Sequence, residues 1–394
     1  MSALAAGETL IAFEEIASVC ASVGESLRRH PIKPTGDVTV LSGDDAVEAA
    51  APAWSALETA GALSTPFQSF AVARTTSRVH LKRGDKPYIA IVREAGRPVA
   101  LLPAVATRRF GISVLCFLGD PLIQYGDALA APEARFHHLQ AAWDALAGTG
   151  AASVALLRKV RADAHIERLL AQAARRTKSD EAPFVDLARL DPLPATRSRK
   201  LGRYRRRLAE LGEIQFEVKR GQDARLLLQT AIAVKRAWLM ERALMSRVIG
   251  DADWESALLS LATADEKSHF AAATLSVGEK LAAVEIGLIS GGRWYAFLGV
   301  TAPAFAKAGP GHLQIAETIA YCRNAGFTIY DLLAPAENYK RGWASGGVAV
   351  SDYAAALDFR GHAALWSLQL LPRAKRTLNA LPPSLRRLLV RQMG

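Results

Sequence analysis

Apolar and polar positions along this chain switch between a period of two and a period near four. Pro87–Arg93 (PYIAIVR), Arg97–Thr107 (RPVALLPAVAT) and Ile112–Leu118 are short, apolar and rich in β-branched residues. The turn residues Glu94–Gly96 separate the first two, so the stretch reads as an antiparallel meander. The period then lengthens: Phe136, Leu139, Trp143 and Leu146 recur at helical spacing within Pro132–Leu146. Ser153–Leu157 reads as a strand, Asp163–Ala174 as a helix and Phe184–Leu187 as another strand. Upstream, Asp37–Leu41 is strand-like. Ser42, Gly43 and Asp44 then cap a helix reaching about Leu57. Ser64-Thr65-Pro66 turns into a short helix from Phe67.

The second half follows the same order. Arg197–Leu211 reads as a helix closed by Gly212, and Ile214–Val218 as a strand. Two helices follow, Asp223–Leu244 and Asp251–Ala262. His269–Ser276, Lys280–Ile289 and Trp294–Val300 form a second meander, with turns at Gly278-Glu279 and Gly291-Gly292. A helix runs from about His312 to Asn324 and stops at Gly326. Thr328–Leu333 and Val348–Leu357 complete the strands. Prolines and polar residues in Asp191–Thr196 mark a boundary near 188–196. The expected fold class is α+β (mixed α/β), built as two domains of one type that arose by duplication. The divisions are an N-terminal extension 1–36, a domain over 37–190, a second over 191–358 and a basic helical tail 359–394.

Composition narrows the class. Half of the 394 residues are hydrophobic and 22% are charged, which is globular and excludes a disordered or fibrous chain. The formal net charge of +11 favours an anionic partner: a phosphorylated cofactor, nucleic acid or an acidic membrane face. Cys20, Cys116 and Cys322 are dispersed and suggest neither a disulfide framework nor zinc. The N-terminus lacks a basic start and an unbroken apolar core, so no secretory signal is expected. No uncharged apolar run reaches the ~20 residues of a membrane span. A cytoplasmic protein is expected.

Four segments carry candidate chemistry. In Ala304–Gln314 (AFAKAGPGHLQ), Gly309 and Gly311 flank Pro310 where a meander strand gives way to a helix. Such an entry leaves backbone N–H groups and the positive helix end facing outward, suited to a diphosphate, with Lys307 beside it; a plain loop is the alternative. In Tyr330–Trp343, Asp331 precedes the neighbours Tyr339 and Lys340, which can donate to a developing oxyanion or serve as a simple anchor. Seven of the eleven residues Arg197–Arg207 are basic and none is acidic. That run reads as a surface for RNA, the coenzyme A 3′-phosphate or an anionic polymer, or as a solvated helix packing Leu201 and Leu208 inward. After Asp358, seven basic residues mixed with leucines suit an anionic leaflet, or helices folded back on the protein.

Taken together, the GPGHL loop, the IYDLLAPAENYK segment, the Lys235–Trp238 element (KRAW) and STPFQS (Ser64–Ser69) resemble the GNAT acyltransferases of the CelD type, with the BioF2-like acetyltransferase domain. These are linked to cellulose and other exopolysaccharide production. The resemblance covers roughly residues 60–358 and extends to the Fem-type transferases, which use two tandem GNAT domains. It implies two GNAT-like domains and acyl transfer from acetyl-CoA or another acyl-CoA, without a metal. Gly309 and Gly311 match the glycines of the GNAT phosphate loop. Ala306 stands where Gln or Arg is usual, with Lys307 one place on. The implied cofactor-binding set is Lys307, Gly309, Gly311 and His312, and the implied substrate-binding pair is Lys235 and Trp238. Lys340 matches a transition-state lysine of the Fem type.

Direct transfer needs a polarised thioester and a base. Strand alternation puts Ala283, Glu285 and Gly287 on one face, so Glu285 can face a cleft and act as base, or else face solvent or a salt bridge. The catalytic candidates are Lys340, Tyr339, Glu285 and Asp331. No serine elbow or metal-spaced histidines occur. The expected acceptor is a sugar, lipid-linked or peptide group, with peripheral contact at the inner membrane face and no nucleic acid. Two other classes stay open: an aminoacyl-tRNA-dependent transferase, and a non-catalytic accessory protein at the membrane.

Overall fold

A computed structural model describes residues 37–62, 64–109, 111–189, 195–262 and 269–366. The expectations for residues 1–36, for the heart of the boundary segment and for the tail from residue 367 lie outside these. The first half comprises β1 (Asp37–Ser42), α1 (Ala46–Ala49), α2 (Ala51–Thr59), α3 (Phe70–Lys82), β2 (Lys86–Glu94), β3 (Arg97–Arg109), β4 (Ile112–Phe117), β5 (Leu129–Ala130), α4 (Phe136–Gly148), β6 (Val154–Arg161), α5 (Glu167–Ala173) and β7 (Arg175–Asp186). The second comprises α6 (Ala195–Ala209), β8 (Ile214–Arg220), α7 (Gly221–Glu241), α8 (Ala252–Leu261), β9 (Phe270–Val277), β10 (Lys280–Ser290), β11 (Arg293–Thr301), α9 (Pro310–Asn324), β12 (Ile329–Asp331), α10 (Asn338–Trp343) and β13 (Gly346–Ala356).

Among the described residues thirteen strands join one sheet, in the order β1-β2-β3-β4-β6-β13-β7-β12-β11-β10-β9-β8, with β5 on β3. Neighbours are antiparallel except β4–β6 and β11–β12. Read from either end, the sequence of events is the same. A meander with one added strand comes first, then a parallel step across a helix, then the closing strand of the other half. Thus β13 pairs with β6 on one edge and β7 on the other, while β7 pairs with β12. Each half finishes the sheet of its counterpart.

This exchange explains the largest departure from the sequence reading. A strand was expected only over Phe184–Leu187, but β7 begins at Arg175. Its opening residues, RRTKSDE, carry no apolar alternation. They are extended because backbone pairing with β13 continues from Phe184 back to Arg175. The opposite happens in the expected strand Thr328–Leu333. It shortens to Ile329–Asp331, the stretch paired to both β7 and β11.

The sheet is buried on both faces over much of its width. In β10 the run Ala282–Leu288 is buried throughout, as befits strands covered on each side. One shared core runs from Phe67 and Tyr125 of the first half to Tyr295 of the second, with ring centres 5.9–6.5 Å apart. Beside it, Arg161 of β6 donates to Asp331 of β12 at 2.8 Å and lies over the Tyr125 ring, whose hydroxyl donates to the same carboxylate at 2.8 Å. Asp331 is 1% exposed. Its carboxylate accepts from a guanidinium, a phenol and the Leu333 N–H. Cys116 and Cys322 are buried free thiols.

The Arg161→Ala variant strands the Asp331 carboxylate without its cation, and should lower the free energy of unfolding by about 3–5 kcal/mol. Urea denaturation measures this. A loss below about 1 kcal/mol, the size of an ordinary surface pair, would show that the pair does not hold the halves together.

Candidate functional site

The second parallel step leaves an opening. β11 and β12 pair only over Arg293–Tyr295. Beyond that, Ala296–Thr301 continues along β10 alone, and a register shift between Ile286 and Gly287 leaves Phe297 unmatched. A bulge of this kind bends the strand away from its former neighbour. The gap is a cavity of about 510 Å³, walled by β10, β11, α7, α9 and Tyr339 of α10.

The start of α9 forms one end of this cavity. After β11 a short helical turn, Pro303–Ala308, leads to Gly309, which sits at φ +76°. Glycine reaches that left-handed conformation without strain. Pro310 then occupies the first helical position, where no N–H is needed. No side chain caps the helix. The N–H groups of its first turn and the positive end of its dipole therefore lie at the cavity wall, which Gly309, Pro310, Gly311 and His312 line. The helix begins two residues earlier than the expected His312, because proline initiates it.

Glu285 lies in the wall of the same cavity and is 5% exposed. It faces neither solvent nor a salt bridge. One carboxylate oxygen accepts from the Trp294 indole at 2.8 Å, and the other from the Tyr330 hydroxyl at 2.6 Å. Burial pushes its pKa up to about 7, although both donors favour the charged form. A carboxyl group poised there can take a proton at neutral pH. Gly287, one step along the same face, must be glycine: a Cβ there would stand 2.2 Å from the Trp294 ring.

Seven of the ten expected site residues line this one cavity: Lys235, Trp238, Glu285, Gly309, Gly311, His312 and Tyr339. Burial lowers the pKa of Lys235, whose ammonium lies 4.0 Å from the Trp238 ring centre, with Arg242 on the same ring at 4.4 Å. Burial raises the pKa of Tyr339, so its phenol keeps its proton. The other three residues lie elsewhere. Lys307 is exposed and outside the lining. Asp331 is committed to Arg161 and Tyr125. Lys340 is buried and donates to the Leu333 carbonyl at 3.0 Å, tying α10 to the end of β12. Trp294 and Tyr330, which position Glu285, escaped the sequence reading. Both lie on expected strands, and nothing local marks their partner. Among the described residues, no cluster of His, Cys, Asp and Glu fits a metal ion.

Residues 195–341, from α6 to α10, match the family model described as Acetyltransferase (GNAT) domain. No curated protein sequence matches the chain. Among solved structures, the crystal structure of FemX is similar at 11% identity and a TM-score of 0.55, covering 77% of this chain and 96% of its own. A conserved protein of unknown function from Bacteroides thetaiotaomicron is similar at 8% identity and a TM-score of 0.51, covering 81% and 100%. A tandem GNAT protein from the clavulanic acid biosynthesis pathway also matches, at 12% identity and a TM-score of 0.45, covering 82% and 99%. At these identities the likeness is one of fold. The chain has a mixed α/β, GNAT-like architecture, a large sheet flanked by helices.

The Glu285 site makes a directional prediction. Because its folded-state pKa of about 7 exceeds the ordinary 4.5, folding favours the neutral acid. Its contribution to stability is complete below pH 4.5 and disappears as pH rises through about 7. Glu285→Gln should be free of this pH dependence. In Tyr330→Phe one donor to the carboxylate is gone, so the midpoint moves above 7. Carbon-13 NMR titration of the glutamate carboxyl reads the midpoint; an unchanged value in Tyr330→Phe would refute the hydrogen-bond assignment.

Proposed function

We propose that this chain is an acyltransferase that moves an acyl group from acyl-CoA to an amine or hydroxyl acceptor. One observation carries the reading: an uncapped helix start and a buried carboxyl group poised near neutrality share a single cavity, opened where two parallel strands part. The helix start suits the donor's diphosphate, and Gly309 and Gly311 let it approach. The match of residues 195–341 to the GNAT acetyltransferase domain supports the same donor.

The residues then divide the work. The thioester arm enters between β11 and β12, where Ala296–Thr301 has no β12 partner and its backbone N–H groups can polarise the carbonyl. The acceptor attacks that carbonyl carbon, forming a C–N or C–O bond. Glu285 takes the proton that the acceptor loses. The tetrahedral intermediate collapses with cleavage of the C–S bond. Tyr339, protonated at neutral pH, donates a hydrogen bond to the departing thiolate, which takes its proton from solvent. Lys235 and Trp238 form the wall beside the acceptor. The acceptor belongs to polysaccharide or cell-envelope biosynthesis, as the CelD-type resemblance implies, and transfer takes place in the cytoplasm or at the inner membrane face. Among the described residues no helix is long and apolar enough to cross a membrane.

Isothermal titration with acetyl-CoA and longer acyl-CoAs tests the donor; failure to bind at any chain length removes the reading. With an acceptor in hand, turnover should rise with pH through about 7 as Glu285 ionises. Glu285→Gln should lower kcat by about 10²–10⁴-fold with little change in donor affinity. Unchanged kcat would take the base role from Glu285.

A further inference from the structure

A second cavity of about 290 Å³ adjoins the first, between α6, the start of α9, and α10. Arg197, Lys200 and Tyr204 of α6 wall one side, opposite His312, Tyr339 and Trp343. His312 and Tyr339 also line the larger cavity, so the two spaces share a partition. Among the described residues no carboxylate lines the smaller one. Among the described residues neither Arg197 nor Lys200 has a carboxylate partner; each lies against an aromatic ring instead.

The seat of α6 is tightly made. Helix α6 precedes β8, so it is added to the sheet-and-helix frame of the second half. Two glycines admit it. A Cβ on Gly309 would stand 2.5 Å from the Tyr204 ring, and one on Gly342 would stand 2.7 Å from an Arg197 Nη atom. Tyr204 stacks flat on His312, with centres 5.5 Å apart and planes inclined by 1°. The Arg197 guanidinium lies over Trp343 at 4.9 Å, and the Lys200 ammonium lies 5.7 Å from the Tyr204 ring centre. Rings hold both cations by their faces, leaving N–H groups to meet an anion. Burial, with Lys200 and Arg197 close by, lowers the pKa of His312, as expected where positive charge gathers without a counter-charge.

We propose that this second cavity is a subsite for a phosphomonoester on the nucleotide end of the donor, with Arg197 and Lys200 gripping the ribose 3′-phosphate of coenzyme A. The inference rests on the acyl-CoA reading above. A phosphomonoester carries close to two negative charges at neutral pH, which matches two cations. The shared wall at His312 places the cavity next to the helix start assigned to the diphosphate. The flanking aromatic rings suit the attached base.

Calorimetric titration of the full chain with coenzyme A and with 3′-dephospho-coenzyme A tests the subsite apart from the reading beneath it. Coenzyme A should bind at least about tenfold more tightly than the dephospho form, the gain expected of one charge-assisted contact. Arg197→Ala and Lys200→Glu should each bring coenzyme A toward the dephospho affinity, while leaving the dephospho affinity within about twofold. Lys200 is exposed, so its variant stays informative if Arg197→Ala folds poorly through loss of the Trp343 stack. Equal wild-type affinities for the two compounds, or an unchanged coenzyme A affinity in Lys200→Glu, overturn the subsite while the acyl-CoA reading stands. If neither compound binds, both fall.

Discussion

The site depends on how far β12 stands from β11, and β12 is held in place from its other side. Only three residues of β12 pair with β11, and the same three pair with β7, a strand from the first half of the chain. Strand β7 is anchored in turn along β13. The gap that becomes the cavity therefore exists because β12 is fixed by a neighbour that does not follow the bend of β11. Closing it would pull β12 off β7, or β7 off β13.

Two buried carboxylates near this junction show how the partners of a buried acid differ. Asp331 is met by a guanidinium from β6 along with a phenol and a backbone N–H. Burial still pushes its pKa up, and the guanidinium and the hydrogen bonds oppose that rise. Glu285 has only two neutral donors, an indole and a phenol, and burial outweighs them. The first arrangement fastens two halves of the sheet. The second leaves a group able to exchange a proton near neutral pH. The two residues are alike in type, so the difference comes wholly from the partners that the fold supplies.

Helix α6 extends the same reasoning to the entrance. It brings seven basic residues of Arg197–Arg207 to the second half, yet they have different surroundings. Arg205 pairs with Glu317 of α9, while Leu208 is buried below the helix. Arg197 and Lys200 are stacked over rings beside a cavity whose described lining contains no acid. A basic run is thus a mixture of packing, pairing and recognition, sorted by which face meets the loop at Gly309.

Much of this was legible in the linear chain because it is local. The two meanders, the helices after them and the glycine-proline entry to α9 follow from alternation, helical spacing and the conformational preferences of individual residues. Glu285 could be named because alternation set it among small residues on one strand face. Other features are relations between distant segments, and no local pattern encodes them. The polar start of β7 is a strand only because β13 lies beside it. Asp331, read as a possible base, is neutralised by Arg161, 170 residues away in the chain. Lys340, drawn by its neighbours in the motif, turns toward the Leu333 carbonyl. Residue type and short-range spacing are written in the chain itself. Which partner a buried charge finds, and how far two strands part, is decided only when the halves exchange their last strands and the sheet closes around them.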